Sequence, residues 1–96
     1  MEYTKESIEK AVCEHFKVSP KDLYQPQKHK YPLGGARDVL IYLLYAAGYK
    51  VYIIQEWFNV SDAATYRHIA EVSMALKSDT KIKEDVNAIN QILNEL

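Results

Sequence analysis

The sequence predicts an all-α domain of five or six helices, and three observations carry the prediction. Apolar residues recur three and four positions apart along most of the chain, the spacing of one helix face. Capping residues (Thr4, Ser19, Ser61) stand just ahead of those stripes. No stretch of four to eight residues shows convincing strand alternation, and the one β-branched, aromatic segment, Tyr49 to Ile54, has no partner strand elsewhere.

Each element has its own warrant. Thr4 can cap a first helix, Glu6 favours its N-terminus, and Ile8, Ala11, Val12 and Phe16 form its apolar stripe. Ser19 and Pro20 restart the chain as N-cap and first helical residue of a short helix reaching about Tyr24. Gln25 to Leu33 holds two prolines and little periodicity, so it reads as a loop, with Gly34-Gly35 at its end. A third helix is expected from about Ala36 to Ala47. Val39, Leu40, Leu43, Leu44 and Ala47 form its core face, and Gly48 is its stop. Val51 to Phe58 reads as a short apolar helix with Ile54 and Trp57 or Phe58 inward. Ser61 caps the next helix, which buries Thr65, Ile69, Val72 and Leu76. Asp79 or Thr80 starts a last helix with Ile82, Val86, Ile89 and Leu93 inward.

Ninety-six residues, 48% hydrophobic and 26% charged, fit one ordinary folded domain over residues 1–96. No apolar run approaches the ~20 residues needed to span a bilayer. The opening residues are acidic and polar, unlike a secretory signal, and one cysteine cannot form an internal disulfide. A cytoplasmic setting is therefore expected. The net charge of −1 argues against strong autonomous binding to nucleic acid, whose phosphates reward basic surfaces. The charge is segregated, however. From Gln25 to Arg37 the chain carries Lys28, Lys30, Arg37 and His29 and no acid, whereas Asp79 to Leu96 carries four acids against two lysines.

Residues 59–69 read as the turn and second helix of a helix-turn-helix. Val60 is an apolar pin in a tight turn, Ser61 is the cap, and small and polar side chains follow, as a helix lying close to base edges requires. Positions 61, 62, 63, 66, 67 and 70 are expected to point away from the core. Arg67 can pair with guanine or phosphate, and Tyr66 can bond a phosphate. The plain alternative is a helical hairpin with a polar outer face.

The chain also resembles a known family. Val12-Cys13-Glu14-His15-Phe16-Lys17-Val18-Ser19-Pro20-Lys21-Asp22-Leu23 is close to "cxxfxvspedL", the opening pattern of the C-terminal DNA-binding domain of the bacterial replication initiator DnaA. A basic loop then leads into Ala36-Arg37-Asp38-Val39-Leu40-Ile41-Tyr42-Leu43, similar to that family's "RxRQxAmyL". Asp62-Ala63-Ala64-Thr65-Tyr66-Arg67-His68 occupies the place of its signature "DHTTVxH". The likeness runs from Ile8 to about Leu76 with no large gap. It implies a helical bundle of Trp-repressor type, duplex DNA as partner, and a role in replication initiation or its regulation. A mobile element is another setting for such a domain.

The departures fall on the contact positions. In the family, the signature's Asp, His and first Thr face bases or backbone in the major groove. Here Asp62 remains, while Ala63 and Ala64 replace the other two, and Ser61 stands where the family has Arg. Of the loop's two arginines only Arg37 remains, with Gly35 at the other position. Each lost base contact costs roughly 1–3 kcal/mol of discrimination, so the family's usual site should not be recognised. The resemblance and the residues together nominate Ser61, Asp62, Tyr66 and Arg67 in the major groove, with Lys28, Lys30 and Arg37 on phosphates.

Other constellations are weaker. Lys28-His29-Lys30-Tyr31 reads either as a phosphate grip or as an ordinary solvated loop. Eight tyrosines include Tyr42, Tyr45 and Tyr49, which would share one helical face. They either extend a small core or mark a dimer or protein-partner site. Near-neutral charge, the two alanines and this cluster motivate an alternative function: a protein-interaction module on the same scaffold, without specific DNA recognition. Cys13 reads as a small core residue, and His15, two positions on, does not face with it. His15, His29 and His68 share no ligand spacing with one another or with Cys13, so no zinc site is expected. No G-x-x-x-x-G-K-[ST] loop is present. No enzyme activity, nucleotide or other cofactor is expected.

Overall fold

A computed structural model describes residues 3–24, 33–78 and 80–95, apart from the side chains of 33, 34 and 80. These form an all-α bundle of six helices: α1 Lys5–Phe16, α2 Pro20–Leu23, α3 Leu33–Ala46, α4 Val51–Phe58, α5 Asp62–Ser78 and α6 Thr80–Asn94. Among the described residues there is no strand, and no helix is long and apolar enough to cross a membrane.

The caps explain where the chain turns. Thr4 accepts a hydrogen bond from the Ser7 N–H, and Ser19 accepts one from Asp22 N–H with Pro20 just inside α2. Lys17 and Asn59 end α1 and α4 in the left-handed conformation, each returning its N–H to a carbonyl of the last turn. Gly48 ends α3 at φ +109°, where an L side chain would be strained.

Helix α3 is the axis of the bundle. It packs against α1, α2, α4 and α5, while α6 closes the far side against α1 and α5. Ala36, Val39, Leu40, Ile41, Leu43 and Leu44 are all buried, so α3 is covered on more than one face. Ile41 is the residue that a one-stripe reading leaves outside. Each of the buried Val, Leu and Ile side chains contributes about 1.5–3 kcal/mol relative to exposure. Ile8, Ala11, Val12 and Phe16 of α1 and Ile54 and Phe58 of α4 complete the core with Val86, Ile89 and Leu93 of α6.

Three details differ from the sequence reading. Helix α3 starts at Leu33, so Gly34 and Gly35 lie in its first turn rather than ending the loop before it. The first-turn N–H groups of a helix have no partner within it, so glycine there breaks no ladder. Tyr49 lies beyond the end of α3 and does not share a helical face with Tyr42 and Tyr45. Its hydroxyl accepts a 2.9 Å hydrogen bond from the Lys5 N–H and its ring meets Trp57 edge-on at 5.4 Å, tying the α3–α4 turn to the start of α1. Asp85 is buried beside the α6 stripe, 3% exposed, and is held by His15 Nε2 at 2.8 Å and Lys81 Nζ at 3.1 Å. A carboxylate in such a place needs these partners to offset its lost hydration.

Candidate nucleic-acid interface

The turn between α4 and α5 spans only Asn59, Val60 and Ser61. Asn59 takes φ 55° and Val60 returns its N–H to the Gln55 carbonyl, while the Val60 side chain packs against the core. Ser61 Oγ accepts from the Ala64 N–H at 3.1 Å, and the Ser61 carbonyl accepts from the buried Thr65 hydroxyl at 2.9 Å. Those two bonds fix the direction in which α5 leaves the turn.

Helix α5 then divides cleanly. Thr65, Ile69 and Val72 are buried and Leu76 half-buried. Ser61, Asp62, Ala63, Tyr66, Arg67 and Ala70 are all exposed, as the sequence spacing predicts. Ala64 is turned partly inward. Asp62 stands in the first turn, where the helix dipole favours its charge. Arg67 is open to solvent, its Nε 3.9 Å from the Glu71 carboxylate one turn on, a loose pair between two exposed side chains.

Arg37 is a correction. The sequence reading places it on a phosphate, but it is only 3% exposed. Its Nη2 donates to the Phe58 carbonyl at 3.3 Å, and the guanidinium lies 5.8 Å from the centre of the Phe58 ring. Burial lowers its pKa, and neighbouring Asp38 acts the other way. Arg37 therefore serves the packing of α3 on α4 and is turned away from any surface ligand. Lys28 and Lys30 lie outside the described residues, and the buried Arg37 does not share a surface with the exposed Arg67.

The tyrosines among the described residues separate into two groups. Tyr3, Tyr24, Tyr42 and Tyr49 pack against the core, and Tyr24 stacks on Phe58 at 4.7 Å. Tyr45, Tyr52 and Tyr66 are exposed and border an open groove of about 640 Å³ that also includes Lys50 and Asp62. The groove joins the α3–α4 turn to the first turns of α5, and Tyr66 belongs to both it and the outward face of α5.

Cys13 is buried, and its thiol is pushed up to about 11 by that burial and by the nearby charges of Glu9 and Asp22. A thiol so held stays protonated and unreactive near neutral pH. One polar cluster escaped the sequence reading: Asp38 of α3 with His68 and Glu71 of α5, whose ligating atoms all lie within 4.8 Å of one another. The sequence signal is the His-x-x-Glu spacing on α5, but Asp38 lies thirty residues upstream, beyond the reach of any local spacing pattern. No protein-family model matches the chain, and no curated protein matches it.

Proposed function

We propose that this domain binds duplex DNA, with α4 and α5 acting as a helix-turn-helix and α5 entering the major groove. The observation that carries the reading is the division of α5. Its outward side chains at 61, 62, 63, 66, 67 and 70 are all exposed behind a three-residue turn, while its inner stripe is locked into the core. Arg67 would pair with a guanine edge or a phosphate, and the Tyr66 hydroxyl would donate to a phosphate. Ser61 and Asp62 would border the groove at the start of the helix. Lys28 and Lys30 would add phosphate contacts from the basic segment before α3. Arg37 has no part in this.

The resemblance to the DnaA C-terminal domain supports a role in bacterial DNA replication or its regulation. Ala63 and Ala64 at reading positions make that family's own site a poor target. With net charge −1, electrostatic affinity should be modest. A salt-dependent anisotropy titration with duplex DNA tests the proposal. Binding must be tighter than ~10⁻⁴ M at near-physiological salt, the level of ordinary non-specific binders; weaker binding refutes it.

A second reading is favoured by a specific observation. Tyr45, Tyr52 and Tyr66 are exposed around one groove, and exposed aromatic clusters are typical of protein interfaces. On that reading the groove docks a protein partner or a second copy, and duplex DNA produces no salt-dependent signal.

A further inference from the structure

We infer that Asp38, His68 and Glu71 form a binding site for a divalent first-row transition ion, clasping α3 to α5. His68 and Glu71 stand three residues apart on α5 and so share a face, and Asp38 meets them from α3, which packs directly against α5. One imidazole nitrogen with two carboxylates is a donor set suited to ions of the Zn²⁺ class.

The spacing of the donor atoms suits an ion. His68 Nδ1 lies 2.9 Å from Asp38 Oδ1. Nevertheless Nδ1, which is shielded from water, makes no aligned hydrogen bond: the oxygen sits off the direction of a ring N–H. Ligands bound at ~2.0–2.2 Å lie roughly 3 Å apart when adjacent around an ion and roughly 4.2 Å apart when opposite. The Asp38–His68 separation matches the adjacent spacing. The 4.8 Å limit on the whole set leaves under about 1 Å to close. Glu71, 59% exposed on a flexible stem, can supply that movement, and its only described ion pair is the loose one with Arg67. Asp38 and Glu71 also border a cleft of about 220 Å³ between α3, α5 and α6, with room for waters to complete the coordination.

The test is a Zn²⁺ titration of the EDTA-treated chain by calorimetry, repeated on Glu71→Gln and His68→Gln. Glu71→Gln changes an exposed side chain and keeps the fold, so it remains readable even if His68→Gln does not fold. The site predicts one Zn²⁺ per chain, with affinity reduced about tenfold or more in E71Q. No binding up to about 1 mM Zn²⁺, or binding that E71Q leaves unchanged, overturns the inference.

Discussion

The guanidinium of Arg37 on α3 donates to the carbonyl of Phe58, the last residue of α4. Helix C-termini leave their final carbonyls without helical partners. Here a buried cation fills that vacancy and lies near the Phe58 ring, so one side chain fixes the end of α4 against α3. The turn at Asn59–Ser61 starts from that anchor. Arg37 thus acts on the proposed recognition helix at a distance, by setting where α4 ends.

Arg37→Ala should therefore cost about 2–4 kcal/mol in urea unfolding, from the cavity and the unsatisfied Phe58 carbonyl. In any variant at this position that still folds, the salt slope of duplex binding should match the parent's. A slope reduced by about one would return Arg37 to the phosphate contacts.

Ser61→Ala removes the acceptor for the Ala64 N–H. The expected loss is about 1 kcal/mol, seen as a lower denaturation midpoint at unchanged m-value. An equal loss in Ser61→Gly would point away from capping, because glycine at an N-cap costs only a few tenths of a kcal/mol.

Cys13 should resist modification by a thiol reagent at pH 8 in the folded chain and react readily in urea. Its folded pKa of about 11 stands above the ordinary value of 9.0. The unfolded thiol loses its proton first as pH rises, so stability is intact below about pH 9 and falls between about 9 and 11. Cys13→Ala should flatten that part of the stability–pH curve relative to the parent. Parallel curves would show that the thiol does not contribute to the fall.

Glu71 competes for Arg67 and carries a charge that repels phosphate. With EDTA present, Glu71→Gln should strengthen duplex binding about two- to fivefold at low salt, and the gain should shrink as salt rises. Weaker binding in this variant would contradict the placement of Arg67 at the DNA.

Local features of the fold were legible in the sequence because their causes lie within one or two helical turns. Thr4, Ser19 and Ser61 announce helix starts by their own side chains, and the inner stripe of α5 follows from spacing alone. What stayed hidden depends on partners far along the chain. Arg37 reads as a surface cation until the Phe58 carbonyl, twenty-one residues on, is brought beneath it. Asp85 carries no sign of burial in the sequence, because its partner His15 stands seventy residues upstream. Ile41 looks peripheral because no sequence pattern says that α3 is covered by four other helices. The Asp38–His68–Glu71 cluster was half visible, since two of its members share a helix and the third arrives only through α3–α5 packing.

The most direct test of DNA binding through α5 is backbone amide NMR of the chain titrated with a short random duplex at low salt. The account predicts shifts concentrated at Ser61, Asp62, Ala63, Tyr66, Arg67 and Ala70, reversed by added salt. Shifts confined to α1 and α6, or no shifts at all, would contradict it.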